Sequence, residues 1–82
     1  MKFKYHTTGT CSRTIEFEIN NGILNNVVFY GGCDGNLKGV CALVDGRPAT
    51  EVITCLKGIR CGLKSTSCPD QLATAIEQAL SQ

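Results

Sequence analysis

Six cysteines, Cys11, Cys33, Cys41, Cys55, Cys61 and Cys68, stand among the 82 residues of this chain. The thiolate is both a nucleophile and a soft metal ligand, so so many thiols point to metal binding or to redox chemistry. Their density, about 7%, falls just below that of secreted disulfide scaffolds. The opening Met1-Lys2-Phe3-Lys4-Tyr5-His6 has no apolar leader. No apolar run approaches the roughly 18 residues that a membrane span needs. The expectation is a soluble, cytoplasmic chain with no membrane partner, kept in a reducing compartment. There a small Cys-rich domain more often holds a metal or exchanges electrons than builds a disulfide framework.

Spacing narrows the chemistry only so far. There is no Cys-x-x-Cys, and the tightest run, Cys55-x5-Cys61-x6-Cys68, fits neither a zinc-finger nor a ferredoxin pattern. His6 alternates with Lys4 and Tyr5 and reads as a surface residue of an edge strand, not as a ligand. Gly31, Gly32 and Gly35 lack the Lys-Ser/Thr of a phosphate-binding loop, so they read as a tight strand-to-helix turn. Eight basic residues oppose seven acidic ones for a net charge of +1, with no basic block, and nucleic acid is not an expected partner.

Which cysteines can act together depends on the elements that carry them. Phe3 and Tyr5 alternate with Lys2, Lys4 and His6, the pattern of an edge strand. From Thr14 to Asn20 the alternation is stronger: Ile15, Phe17 and Ile19 face one way, Glu16, Glu18 and Asn20 the other. Asn21-Gly22 predicts a type I′ hairpin turn, and Ile23 to Tyr30 returns antiparallel, with Asn25-Asn26 a candidate bulge. Leu37, Val40, Cys41 and Val44 then define a helical face that Gly46 ends. Ala49, Val52, Ile53 and Leu56 define a second helix after Pro48. Leu72, Ile76, Ala79 and Leu80 define a third, with Pro69 at its first position. The fold class is α+β, a single domain over residues 1–82. A three-stranded antiparallel sheet precedes three helices packed on one of its faces, in the order β-β-β-α-α-α.

This order divides the cysteines. Cys41 and Cys55 fall within helices and read as core or half-buried residues. Cys11, Cys33, Cys61 and Cys68 fall in loops or at element ends, where binding groups are displayed. Cys11 precedes the second strand and Cys33 follows the third, so their loops meet at one end of the sheet. Cys33 also lies just before the first helix, and Cys68 at the N-cap of the third, where the helix macrodipole favours a thiolate. Four sulfurs in a tetrahedron suit zinc or an iron–sulfur cluster, two cofactors that the sequence does not separate.

Thr66-Ser67-Cys68-Pro69-Asp70 resembles the signature after which the TSCPD family is named. Gly9-Thr10-Cys11-Ser12, Phe29-Tyr30-Gly31-Gly32-Cys33-Asp34-Gly35-Asn36-Leu37 and Gly58-Ile59-Arg60-Cys61-Gly62 resemble its other blocks. Such domains occur free-standing and at the C-terminus of adenosylcobalamin-dependent ribonucleotide reductases. The resemblance therefore implies a link to deoxyribonucleotide synthesis and a reductase, or another protein, as partner. More distantly, Cys11, Cys33 and Cys68 are similar in order and placement to the cysteines of the U-type iron–sulfur scaffold proteins, which implies a scaffold-like fold. Arg13 stands where the scaffold has Asp, and Ser67 where it has His. Cys61 is a further thiol able to replace the missing ligand and close a tetrahedral site.

The reading with the most support is a small thiolate metal- or iron–sulfur-binding module that uses Cys11, Cys33, Cys61 and Cys68. The alternative is a dithiol accessory that passes electrons to a reductase by thiol–disulfide exchange. Ribonucleotide reduction by this chain alone is not expected. That reaction needs a radical source and an enclosed nucleotide pocket, and a domain of this length has too thin a core to build both.

Overall fold

Alternation along the second strand decides the architecture, because it gives the sheet one apolar face that must be covered. The computed structural model describes residues 1–7, 9, 12–31, 34–60, 62–63 and 65–81. Strands β1 (Lys2–His6), β2 (Ser12–Asn20) and β3 (Ile23–Gly31) form an antiparallel sheet in the order β1-β2-β3. Helices α1 (Asp34–Val44), α2 (Ala49–Leu56) and α3 (Cys68–Leu80) follow. The α+β order and the hairpin are as the sequence predicts. The turn residues Asn21 and Gly22 take φ of 53° and 78°, the left-handed values that a type I′ turn requires.

The expected irregularity in β3 is a bulge with a purpose. Glu18 pairs with Asn25 and Glu16 with Val28, so β3 carries one more residue than β2 between these pairs. Asn26 takes up the excess at φ 55°, and its side chain donates to Glu18 Oε2 at 2.7 Å. The extra residue reverses the strand's parity. Leu24 before the bulge and Val27 after it therefore both turn toward the helices and are buried.

The core gathers Ile15 and Phe17 of β2, Leu24 and Val27 of β3, Val44 of α1, Ala49 and Val52 of α2, and Leu72, Ala75, Ile76 and Ala79 of α3. Phe3 stacks on Phe17 with ring centroids 5.5 Å apart, which ties the edge strand to this cluster. At the hairpin end, backbone bonds stitch sheet to helices. Gly46 N–H donates to the Leu24 carbonyl at 2.8 Å, and Ala49 N–H to that of Gly22 at 2.8 Å. At the opposite end, where β1 leaves, β2 enters and α3 begins, the described ties include the side-chain bonds of Asp70 to Gly58 and of Ser67 to Ile59.

Three expectations are corrected. Leu80 is 45% exposed, not part of the buried face; at about 100° per residue it falls some 80° around the helix from Leu72. Cys55 is exposed. Helix α2 packs chiefly on α3, so its covered stripe is Ala49 and Val52 with Ile53 and Leu56 half-buried, and Cys55 lies outside it. The N-cap of α3 is Ser67, which makes Cys68 the first helical residue and Pro69 the second. Among the described residues no helix is long and apolar enough to cross a membrane.

Candidate functional site

The start of α3 is the most polar part of the interior. Thr66, Ser67 and Gln71 are buried polar residues, and all three sit there. Ser67, at φ −147° and ψ 169°, caps the helix. Its Oγ accepts from Asp70 N–H at 3.1 Å and donates to the Ile59 carbonyl at 2.6 Å. A Ser or Thr cap satisfies one of the helix's four orphan amides. Here the same hydroxyl also fastens the preceding loop.

Asp70 is the second fastening. Its Oδ1 accepts from Gly58 N–H at 2.7 Å, and its Oδ2 accepts from the Thr66 hydroxyl. Gly58 reaches this position at φ 87°, a conformation open to glycine at little cost. Thr66 Oγ1 in turn accepts from Gln71 Nε2 at 3.1 Å. The Thr66 hydroxyl bond, the Gly58 amide and the nearby Lys57 and Arg60 cations hold the Asp70 carboxyl below the usual carboxylate value, against the opposing pull of its partial burial. A depressed folded value means that Asp70 contributes stability above its unfolded pKa and that this is lost as pH falls through the lowered one. In metal-free protein, Asp70→Asn is expected to flatten the acid limb of the urea midpoint measured against pH. An unchanged limb would show that the carboxylate contributes nothing to the fold.

Of the sequence-predicted site residues, Cys68 is described, and Cys11, Cys33 and Cys61 lie outside the described residues. Cys68 opens α3, 9% exposed, at the edge of the core and not within its main cluster. Among the described residues no three His, Cys, Asp or Glu side chains gather about one point. The chain on either side of the other three cysteines nevertheless has a definite course. Ser12, next to Cys11, pairs with Gly31, two residues before Cys33. Gly9, two residues before Cys11, approaches the segment ahead of α3 so closely that a Cβ on it would stand 3.0 Å from Thr66 Cγ2. Ile59, two residues before Cys61, is the residue whose carbonyl Ser67 holds.

Cys41 is half-buried on α1, as the sequence predicts, and Cys55 is exposed on α2. Burial pushes the Cys41 thiol up, against a smaller opposing effect of the Phe29 backbone. His6 is exposed on the edge strand, in keeping with a surface role. Sequence reasoning passed over Thr66, Asp70 and Gln71 as working residues. The signal was available: Ser67-x-x-Asp70 before an apolar run is a capping pattern.

No curated protein and no solved structure matches the chain. Residues 1–80 match the TSCPD domain. Within the five residues of that name, Thr66 to Asp70, it is Thr66, Ser67 and Asp70 that cap α3 and fasten the loop before it. With nearly its whole length matched, the chain belongs to the TSCPD domain family.

Proposed function

We propose that this chain is a thiolate module that binds zinc or an iron–sulfur cluster through Cys11, Cys33, Cys61 and Cys68. One observation carries the reading: the described residues flanking all four cysteines are tied together at one end of the molecule. The ties are the Ser12–Gly31 pairing, the Gly9–Thr66 contact and the Ile59–Ser67 bond. The donor set also fits the cofactor. Four thiolates match tetrahedral zinc or a cluster's irons, and α3 offers the positive end of its dipole to Cys68. A centre bound there would crosslink the β1–β2, β3–α1 and α2–α3 connections. Through its family the module is associated with ribonucleotide reduction, as an accessory to a reductase or another protein in the reducing cytoplasm, not as a catalyst alone.

Elemental analysis of anaerobically purified protein tests this directly. The expected result is about one zinc per chain, or iron with matching acid-labile sulfide. Without denaturant, fast thiol titration is then expected to reach only Cys41 and Cys55, with exposed Cys55 the faster. Metal-free protein in which the four loop thiols react quickly would overturn the metal reading in favour of thiol–disulfide exchange.

A further inference from the structure

Thr66 holds two different loops with the two ends of one short side chain. Its Cγ2 methyl lies against Gly9, at a distance where a Cβ would stand only 3.0 Å away. Gly9 has φ 73°, so both its conformation and its clearance favour glycine. Its Oγ1 hydroxyl donates to Asp70 Oδ2, and the other oxygen of that carboxylate holds Gly58 N–H at 2.7 Å. The hydroxyl also accepts from Gln71 Nε2 at 3.1 Å, so its orientation is fixed from the helix side. The methyl thus bears on the loop leading to Cys11, and the hydroxyl, through Asp70, on the loop leading to Cys61.

We infer that Thr66 is a positioning residue, setting the Cys11 loop through its methyl and the Cys61 loop through its hydroxyl. The inference rests on the proposed thiolate site for its purpose, but its geometry stands on Thr66, Gly9, Asp70 and Gly58 alone. Burying a threonine among polar partners is costly unless every bond is made. No buried side-chain nitrogen or oxygen among the described residues lacks a partner. Serine keeps the hydroxyl and loses the methyl, whereas valine keeps the shape and loses the hydroxyl. The two halves of the role are therefore separable.

The experiment is mass-resolved alkylation of each cysteine with iodoacetamide in metal-free protein, beside metal retention in loaded protein. Thr66→Ser is expected to speed Cys11 roughly fourfold, the weight of one buried methyl, and to leave Cys61 unchanged. Thr66→Val is expected to speed Cys61 roughly fivefold, the weight of one hydrogen bond, and to leave Cys11 unchanged. Cys41 serves as the control for general loosening and is expected not to move in either variant. Should Thr66→Val fail to fold, Asp70→Ala reads the same link to Gly58. The inference is overturned if both thiols accelerate together with Cys41, or if neither responds. If wild-type protein purifies without metal and the Thr66 variants still show the split, the metal reading fails and this inference stands. If wild-type protein purifies with metal and the variants, once stripped of it, show no split, the reverse holds.

Discussion

Cys68→Ser protein is expected to leave a desalting column with neither zinc nor iron, while wild-type protein keeps its metal. Serine at neutral pH offers a protonated hydroxyl where the site needs a thiolate, and a tetrahedral shell with one ligand missing is opened to water and exchange. The substitution is nearly isosteric and leaves the helix start alone. Ser67 still caps α3, Pro69 still fixes its first turn, and Asp70 still holds Gly58. Far-ultraviolet circular dichroism of the variant should accordingly match that of metal-free wild-type protein. Cys55→Ser is the contrasting variant: Cys55 is exposed within α2 and outside the proposed ligand set, so metal content is expected to stay at the wild-type value. Full retention in Cys68→Ser would remove Cys68 from the ligand set, and loss in Cys55→Ser would place Cys55 in it.

The second large effect is on the fold. Phe17 is 2% exposed, lies in the middle of β2 and stacks on Phe3. Truncating such a side chain to alanine costs about 3–5 kcal/mol, lost transfer energy plus the cavity left behind. A domain of this size has only about 4–12 kcal/mol to lose. Phe17→Ala is therefore expected to lose at least about a quarter of that stability without metal, read as a large fall in the urea midpoint. If the native state alone binds zinc, saturation restores part of that loss, about 2.7 kcal/mol at a hundredfold excess over Kd. A midpoint shift below about 1 kcal/mol would mean that Phe17 is not the centre of this core. A zinc-independent midpoint in a variant this weak would argue against a bound metal.

The family signature acquires a physical meaning from these contacts. Ser67 and Asp70 each perform two tasks, one for the helix and one for the loop ahead of it. Pro69 supports the helix start, because a missing amide is harmless in the first turn. Cys68, the first helical residue, carries the thiol of this run. The polar residues of this run thus form a frame at the start of α3.

What the sequence by itself determined was local. Alternation at Ile15, Phe17 and Ile19 set the faces of β2, Asn21-Gly22 set the hairpin, and the spacing of Leu37, Val44, Val52, Leu72 and Ile76 set three helices. These features depend on residues a few positions apart, within the reach of one turn or one pleat. The placing of Cys41 and Cys55 within helices was legible for the same reason. Tertiary structure alone decided which separate segments meet. Gly9 lies 57 positions before Thr66, and Gly58 lies 12 before Asp70, and no periodicity relates them. Their meeting depends on α3 packing across β2, so that its first turn arrives beside the loop entering that strand. The exposure of Cys55 and Leu80 was decided in the same way. A helical face is buried only as far as a neighbour covers it, and the width of that cover is a property of the assembled layers.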